Sequence, residues 1–331
     1  MKILLYTGGR KLVGESGVGR AMSHQEKALA LGGVDYTEDV KDAYDIVHIN
    51  TVLPDAVWMA RRAKREGKKV VYHGHSTMED FRNSFVGSNL TAPLFRKWLC
   101  TCYGQADLVL TPTEYSKKIL EGYGLNRPVL PLSNGVDTGF FRKKPEQRRR
   151  FREKYGFSME DKVILCVGLP IERKGILDVL SLARQLPQYH FFWCGHAAAG
   201  LIPPSIRRAM ANAGANMHFP GFLDREELRD AYGGCDLFLF PTYEETEGIV
   251  MLEAMSMEIP VLVRDIPVYD GWLQNGREVW KERVRPGFRN RICDILEGRL
   301  PDLTGAARNA AEKRDLKIIG QRLASVYETL L

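Results

Sequence analysis

The stretch KVILCVGLPIERKGILDVLSLARQLPQYHFFWCG, residues 162–195, contains the repeating unit that decides the fold. It begins and ends with short, continuous apolar runs, which are typical of strands buried on both faces of a parallel sheet. Between the two runs lie a polar loop and an amphipathic segment that begins after Gly175, as expected for a crossover helix. The stretch therefore predicts one strand–helix–strand unit of an α/β domain.

The same alternation continues along all 331 residues, a length that favours two domains. Strands are predicted at 2–7, 45–50, 69–74, 108–113, 128–134, 162–168, 190–195, 216–221, 237–242 and 260–265. Five strands in each half predict two Rossmann-like, doubly wound α/β domains that face each other across a cleft. We place them at 1–142 and 143–315, followed by an amphipathic C-terminal helix, 316–331, that is a candidate to pack back toward the first domain.

Composition excludes several classes of protein. Hydrophobic residues make up 44% and charged residues 27%, which excludes a disordered or fibrous chain, and no apolar run reaches the ~18 residues of a membrane-spanning helix.

The six cysteines form no CxxC pair, which suits a reducing cytoplasm. Residues 1–150 carry a net charge of +8, from 24 Lys and Arg against 16 Asp and Glu. Nucleic acid, anionic lipid and a solvated surface all remain open as explanations of this basic half.

Two loops after strands of the first half carry candidate chemistry. The glycine-rich loop 8–22 enters a helix, so Gly17 could bring backbone close to a pyrophosphate, although its spacing is not GxGxxG and a structural turn is the alternative. In the second loop, His73 and His75 project to the same side of an extended chain. No third ligand and no DxD motif accompany them, so a neutral imidazole that forms hydrogen bonds is favoured over a metal site.

Two loops of the second half carry charged side chains. Arg173 and Lys174 precede a helix start, where two cations beside the positive end of a helix could hold a diphosphate; a charged turn is the alternative. Glu245 and Glu253 are separated by seven residues, with Gly248 between them. Because Glu253 stands in an otherwise apolar helix, it needs a partner, and a carboxylate can accept two hydrogen bonds from a ribose diol.

These patterns together resemble the retaining glycosyltransferases of the GT-B fold that are called group 1 or family four. The resemblance covers nearly the whole chain. It is carried by DIVHIN, the His75 loop, ADLVLTPTEYSKKIL, SNGVD, VGLPIERKG, the run FPGFLDREELRDAYGGCDLFLFPT and the Glu-x7-Glu pair. It implies transfer of a hexose from UDP-glucose or UDP-galactose with retention, through fixed cations and without a metal or another cofactor.

The resemblance also implies a role for individual residues. His75 would lie beside the transferred sugar, Lys174 with Arg173 would neutralise the leaving diphosphate, and Glu245 would contact the hexose hydroxyls. The remaining donor contacts would be Gly17 to the phosphates, Gly248, Ile249 and Val250 to the sugar or β-phosphate, Glu253 to the ribose and the backbone near Phe222 to uracil. Leu169 stands where the family usually has arginine, so Arg173 would supply the missing charge. Whether retention proceeds by front-face attack or through a covalent intermediate on Glu245 stays open, with positioning favoured for Glu245.

A closer resemblance is to Gram-positive bacterial enzymes that add a second hexose to monoglucosyldiacylglycerol, through SGVGRAMSHQEKAL, HGHSTMEDFRNSFVGSN, YEETEGIVMLEAM and RDIPVYDGWL. It implies a peripheral cytoplasmic enzyme on the inner face of the cell membrane, bound to anionic lipid through its basic half. The candidate acceptor or membrane contacts are Phe81, Arg82, Phe85, Arg96, Lys97 and Trp98. For 91–103, a buried domain helix with two exposed cations is the favoured alternative.

Other functions remain as alternatives. The acceptor could be a soluble or polyprenyl-linked saccharide of a cell-surface polysaccharide, and the chain could be a non-catalytic GT-B module that binds nucleotide or lipid. A nucleic-acid partner is not expected, because no aromatic residues interleave with the basic runs. The sequence leaves galactose or glucose undecided.

Overall fold

The computed structural model describes residues 1–8, 14, 17–198 and 200–331. They form two compact units. The first contains Met1–Phe81, Leu90–Asp137 and Lys313–Leu331, and the second contains Arg82–Asn89 and Thr138–Glu312. The predicted domains divide at 142/143 and 315/316, whereas these units divide at 137/138 and 312/313, and 82–89 belongs to the second unit.

The first unit is built on a six-stranded parallel sheet in the order β2-β1-β3-β4-β5-β6. Its strands are β1 (Lys2–Tyr6), β2 (Asp35–Thr37), β3 (Ile46–Ile49), β4 (Lys69–His73), β5 (Leu108–Thr111) and β6 (Val129–Pro131). Ile3 pairs with Ile46, and both are fully buried. The central strands read as apolar runs because side chains on both faces of the sheet are covered.

Helices cover this sheet on both faces. They are α1 (Gly17–Leu31), α2 (Pro54–Arg65), α3 (Met78–Phe81), α4 (Ser88–Tyr103), α5 (Glu114–Glu121) and, at the end of the chain, a helix at Leu316–Glu328. That last helix packs against α1 closely enough that a Cβ on Gly320 would lie 1.9 Å from the Ala28 carbonyl oxygen. Its residues Leu316, Ile319 and Leu323 join one apolar cluster with Ile3 of the first strand. The last residues of the chain thus complete the first unit.

The second unit repeats the architecture with the strand order β12-β11-β10-β7-β8-β9, again all parallel. Its strands are β7 (Val163–Val167), β8 (His190–Cys194), β9 (Met217–Gly221), β10 (Leu237–Phe240), β11 (Val261–Arg264) and β12 (Trp280–Glu282). Its helices are α6 (Pro145–Tyr155), α7 (Ile176–Gln185), α8 (Pro204–Ala211), α9 (Arg225–Gly234), α10 (Ile249–Ser256), α11 (Arg285–Leu296) and α12 (Thr304–Glu312), so the helix at Leu316–Glu328 is α13. The β7–α7–β8 unit is the one encoded by 162–195.

The ten predicted strands are all present, and the prediction of two Rossmann-like domains is confirmed. Two further strands, β2 and β12, were not predicted. Each has three residues and lies at an edge of its sheet, where its side chains are mostly half-buried or exposed and no continuous apolar run is needed. Within the described residues, no helix combines the length and apolar character that crossing a bilayer requires.

Candidate functional site

The loop after β10 presents the amino end of α10. Gly248 takes the left-handed conformation (φ 92°), which suits a residue without a side chain, and α10 begins at the next residue, Ile249. The amides of Ile249 and Val250 lie in the first turn, where a helix supplies no carbonyl partner to N–H groups. The turn therefore offers amide donors and the positive end of a helix dipole, the features that bind phosphate elsewhere.

Glu245 in this loop lies beside the predicted cation of another loop. The Lys174 ammonium forms an ion pair with Glu245 Oε1, the Thr242 hydroxyl donates to the same oxygen at 3.0 Å, and Arg173 Nη1 lies 3.9 Å from it. The Glu245 side chain is only 8% exposed. We call Lys174 and Glu245 the charged pair. Because Glu245 Oε1 is held by donors, the carboxylate is better arranged to position groups than to attack carbon.

Lys174 is held in place by its own turn. It ends a short 3-10 turn, Glu172–Lys174, and Gly175 follows with φ 79°. A Cβ on Gly175 would lie 2.5 Å from the Pro241 carbonyl oxygen, so only glycine lets this turn approach the loop after β10 so closely. The ammonium also stands 5.4 Å from the centroid of the Phe240 ring, within the range of a cation–π contact. The turn and the ring thus direct Lys174 at Glu245.

Arg173, the adjacent predicted cation, is directed at other groups. Its Nε donates to the Ser84 hydroxyl at 2.9 Å and its Nη1 donates to the Glu244 carbonyl at 2.8 Å. The residue is 9% exposed. These contacts were not expected from the sequence, which pairs Arg173 with Lys174 at the diphosphate.

Glu253, the second carboxylate of the motif, is fully buried in α10. The structure supplies a partner that the sequence analysis did not foresee: the Tyr232 hydroxyl of α9 lies 3.0 Å from Glu253 Oε2 and 2.9 Å from the Val250 carbonyl. The burial of Glu253 alone is therefore no argument for a ligand, which corrects our reasoning from the apolar setting. Its assignment to a ribose remains a prediction.

The two other predicted donor contacts lie at ends of elements. Phe222 directly follows β9 in the second unit and is half-exposed. Gly17 is the first residue of α1 in the first unit, where an added Cβ would meet no atom within 4 Å. Residues 9–13, 15 and 16 of the glycine-rich loop lie outside the described residues.

His75 lies in the first unit within a buried histidine cluster, which consists of Gln25, His48, Asn50, His73, His75 and Tyr327. His75 Nε2 lies 2.9 Å from Asn50 Oδ1, and the Asn50 amide donates to Gln25 Oε1 at 2.6 Å. Because the Asn50 amide nitrogen is committed to Gln25, its oxygen accepts from His75 Nε2. Burial lowers the pKa of His75 to about 3, so the ring is neutral near pH 7.

The other two rings of the cluster are also neutral. His73 stacks on His75 with ring centroids 4.1 Å apart, and on His48 at 5.5 Å. Burial lowers the pKa of His48 to about 3 and that of His73 well below its ordinary value. His48 Nδ1 lies 2.6 Å from the Tyr327 hydroxyl of α13, while both nitrogens of His73 lack a hydrogen-bond partner among the described residues. The cluster therefore carries hydrogen bonds without carrying charge.

The predicted acceptor and membrane contacts divide into inward-facing and exposed residues. The Phe81 and Phe95 rings pack in a tilted arrangement with centroids 4.3 Å apart. The Trp98 indole donates to the Val52 carbonyl at 2.6 Å, and Arg96 donates to the Gly122 carbonyl at 3.1 Å. Phe85 is half-buried, and Arg82 and Lys97 are exposed. Trp98 and Arg96 are thus bonded within the protein, whereas the buried-helix alternative expected both Arg96 and Lys97 to be exposed cations. Leu94, part of the predicted apolar surface of 91–103, is 70% exposed on α4, and Leu90, which was not selected from the sequence, is 87% exposed.

Sequence reasoning also missed Thr242, Tyr232 and Tyr269. Thr242 is fully buried and donates to Glu245, and Tyr232 donates to Glu253. Tyr269 is fully buried, and its hydroxyl lacks a partner within the described ranges. Burial, and then the negative charge of Glu245, raise the pKa of Tyr269 well above its ordinary value. Thr242 could have been predicted from its position, because it lies just after a strand in the loop that carries Glu245. Nothing in the sequence around Tyr232 or Tyr269 pointed to their roles.

No metal centre is evident in the described part of the chain, where no group of three or more His, Cys, Asp or Glu side chains could hold an ion.

Comparison with known proteins identifies the class of protein. A solved structure from Anabaena, HepE in complex with UDP and glucose, superposes with a TM-score of 0.75 at 16% identity and 99% coverage of both chains. WaaG, a glycosyltransferase involved in lipopolysaccharide biosynthesis, superposes with a TM-score of 0.65 at 16% identity, over 98% of this chain and 99% of that one. At these identities the likeness shows the fold alone, which is that of the GT-B proteins.

Sequence comparison identifies the family. Residues 147–310 match the family described as "Glycosyl transferases group 1", and residues 36–140 match "Glycosyltransferase Family 4". The processive diacylglycerol alpha-glucosyltransferase of Acholeplasma laidlawii is 38% identical over 334 residues, covering 100% of this chain and 99% of that protein. The alpha-galactosylglucosyldiacylglycerol synthase of Streptococcus pneumoniae is 26% identical over 346 residues, covering 99% and 89%. The chain belongs to the glycosyltransferase group 1 family, and the prediction of a glycosyltransferase is confirmed.

Proposed function

We propose that this glycosyltransferase transfers a hexose from a UDP-hexose to a diacylglycerol-based glycolipid at the inner face of the cell membrane, with glucose as the hexose and monoglucosyldiacylglycerol as the acceptor. The observation that carries the proposal is the 38% identity, over the whole chain, to a processive diacylglycerol alpha-glucosyltransferase. A relative whose name specifies galactose is 26% identical, which favours glucose as the donor sugar.

The charged pair and the amino end of α10 support this chemistry. As the bond between the anomeric carbon and the diphosphate breaks, negative charge grows on the departing UDP. Lys174 and the amides of Gly248, Ile249 and Val250 are fixed donors for that charge and need no reorganisation during the reaction. Glu245 and Glu253 would orient the hexose and the ribose by accepting hydrogen bonds from their hydroxyls, Phe222 would lie beside the uracil, and Gly17 beside the phosphates.

We favour front-face attack over a covalent intermediate. The Lys174 ammonium and the Thr242 hydroxyl both engage Glu245 Oε1, and a carboxylate engaged in this way is a poor nucleophile. In the front-face reaction the acceptor oxygen forms the new bond to the anomeric carbon on the face that UDP leaves. The acceptor proton passes to an oxygen of the departing phosphate, so the products are the α-glycoside and UDP.

A product assay tests the proposal. The full chain is incubated with vesicles that contain either diacylglycerol or monoglucosyldiacylglycerol, and with either UDP-glucose or UDP-galactose. Mass spectrometry should find one added hexose with UDP-glucose and monoglucosyldiacylglycerol. Transfer from UDP-galactose alone, or transfer only to water-soluble saccharides supplied in place of lipid, would contradict the proposal.

The exposed residues of α4 support the proposed membrane contact. Leu90 and Leu94 are four positions apart and Lys97 follows three positions later, so all three lie on one face of the helix. Two exposed leucines beside an exposed lysine suit insertion at an anionic lipid surface. The proposed acceptor contacts Phe81, Arg82 and Phe85 lie just before α4 in the chain.

Vesicle flotation tests this contact. Changing Leu90 and Leu94 together to serine should lower recovery with anionic vesicles several-fold, while Met159→Ser, which changes an exposed apolar residue of the second unit, should leave it unchanged. Equal recovery of the double variant and the unaltered protein would remove this surface from the proposal. Equal recovery with neutral and anionic vesicles would remove the electrostatic contribution of the basic half.

A further inference from the structure

Segment 82–89 is a loop that runs into the first residues of α4 and has internal hydrogen bonds. The Asn83 amide donates to Asn89 Oδ1 at 2.9 Å, and the Asn89 side chain donates to Asn83 Oδ1 at 2.8 Å. Asn83 has φ 54°, a left-handed conformation that asparagine tolerates better than most residues. Ser84 is 3% exposed although its neighbours Asn83 and Arg82 are exposed. The loop therefore presents one buried hydroxyl and one backbone carbonyl to the rest of the second unit.

Arg173 contacts both of these groups. Its backbone N–H donates to the Asn83 carbonyl at 3.1 Å, and its side-chain Nε donates to the Ser84 hydroxyl at 2.9 Å. A hydrogen bond from a charged donor to a buried acceptor is about twice as strong as a neutral one. Two adjacent residues of the loop are thus fixed by one arginine.

The same arginine is bonded to the loop that carries Glu245. Its Nη1 donates to the Glu244 carbonyl at 2.8 Å, and its own carbonyl accepts from the Tyr243 amide at 2.8 Å. The Thr242 hydroxyl lies 3.2 Å from the Arg173 carbonyl and 3.0 Å from Glu245 Oε1. Lys174 is the next residue in the chain. A continuous series of contacts therefore runs from segment 82–89 through Arg173 to the charged pair.

We propose that Arg173 is a positioning residue that anchors segment 82–89 beside the charged pair, and that it is not a ligand of the donor diphosphate. The proposal rests on the proposed function for one part only, namely that Arg82 and Phe85 of this segment contact the acceptor. Arg173 would then hold the acceptor side of the site in register with Lys174, which supplies the charge for the departing UDP. This assignment replaces the role that sequence resemblance gave to Arg173.

Hydrogen exchange measured by mass spectrometry tests the anchor without any need for activity. Ser84→Ala and Arg173→Lys should each raise exchange in peptides covering 82–89 by about tenfold, the effect of losing roughly 1.4 kcal/mol of hydrogen bonding. A lysine keeps the charge but lacks the planar fork through which Nε and Nη1 of Arg173 reach Ser84 and Glu244 from two separate nitrogens. The matched control is Ser181→Ala, which removes a serine that accepts from Arg285 at 3.3 Å on the surface, and it should leave 82–89 unchanged.

Calorimetric titration with UDP separates an anchor from a phosphate ligand. Ser84→Ala should keep the affinity for UDP within about twofold, and Arg173→Gln should lower it far less than Lys174→Gln, for which about a tenfold loss or more is expected. The proposal is overturned if Arg173→Gln weakens UDP binding as much as Lys174→Gln while Arg173→Lys leaves exchange in 82–89 unchanged.

Steady-state kinetics tests the link to the acceptor. Ser84→Ala should raise the KM for the lipid acceptor by about tenfold with the KM for the UDP-hexose unchanged. If Ser84 were purely structural, Ser84→Ala would lower kcat without raising the KM for the lipid acceptor more than the KM for the UDP-hexose. Equal changes in both KM values would contradict the acceptor link. If the unaltered protein glycosylates no lipid, the proposed function fails, but exchange in 82–89 still decides whether Arg173 is its anchor.

Discussion

The histidine cluster of the first unit and the charged pair of the second unit both lie where strands of a parallel sheet end, yet they use opposite chemistry. The cluster consists of imidazole, amide and phenol groups, and burial keeps its rings neutral. The charged pair consists of an ammonium and a carboxylate that are both largely buried. A buried charge needs a partner of opposite sign, whereas buried neutral groups need only hydrogen bonds. The comparison shows that the second unit holds a buried ion pair near its strand ends, whereas the first holds its rings by hydrogen bonds and stacking.

Removing the cation should have the largest effect on activity. Lys174→Ala should lower kcat by about a hundredfold or more, because the charge on the departing diphosphate loses a fixed donor. Steady-state rates with UDP-glucose measure the change. The control Lys154→Ala removes a surface lysine that pairs with Glu227, and its rate should match that of the unaltered protein. Unchanged turnover in Lys174→Ala would show that the charged pair does not stabilise the leaving group.

Placing a charge in the neutral cluster should have the largest effect on stability. Asn50→Asp should lower the free energy of unfolding at pH 8 by about 3 kcal/mol, because the carboxylate is buried and cannot donate to Gln25 Oε1. Urea denaturation measures this change. Asn126→Asp, at an exposed site of the same unit, is the control and should cause no comparable loss. Equal stability of the two variants would mean that the cluster tolerates charge.

Acid should weaken the first unit through the same cluster. In the folded protein the pKa of His75 is lowered from 6.5 to about 3. Below pH 6.5 the unfolded chain therefore binds more protons than the folded chain, and the free energy of unfolding decreases as the pH is lowered. Each such histidine contributes roughly 1.4 kcal/mol per pH unit between those values. His73→Phe should reduce the dependence of the free energy of unfolding on pH by about the contribution of one histidine. His196→Ala, at an exposed site, should leave that dependence unchanged. Identical slopes from pH 4 to pH 6 in the His73 variant and the unaltered protein would contradict this account.

Two buried tyrosines should differ by a smaller amount. Tyr232→Phe should destabilise the fold by about 2 kcal/mol, because Glu253 loses a hydrogen-bond donor. Tyr269→Phe should change stability by less than about 1 kcal/mol, because the Tyr269 hydroxyl has no hydrogen-bond partner among the described residues. Thermal unfolding of the two variants measures the difference. A larger loss for Tyr269→Phe than for Tyr232→Phe would reverse the assignment of these hydroxyls.

Sequence patterns predicted the fold better than they predicted contacts. Ten strands were recognisable because a strand covered on both faces must be apolar along its whole length, and the edge strands β2 and β12 escaped because they face no such demand. Lys174 and Glu245 were correctly placed in strand-end loops, but their ion pair depends on how closely Gly175 approaches Pro241. The partners of Arg173 and Glu253 come from residues 89 and 21 positions away, and no local pattern encodes such distances.

The position of α13 has a consequence for the order in which the protein is completed. Leu316, Ile319 and Leu323 share an apolar cluster with Ile3 and Leu5, so β1 is covered by a helix that follows the second unit in the sequence. During synthesis, all residues of the second unit, through Glu312, are made before Lys313–Leu331, the residues that cover the first sheet. A ribosome that stalls near residue 312 would leave apolar side chains of the first sheet exposed. Chaperones should bind such stalled chains mainly at these side chains.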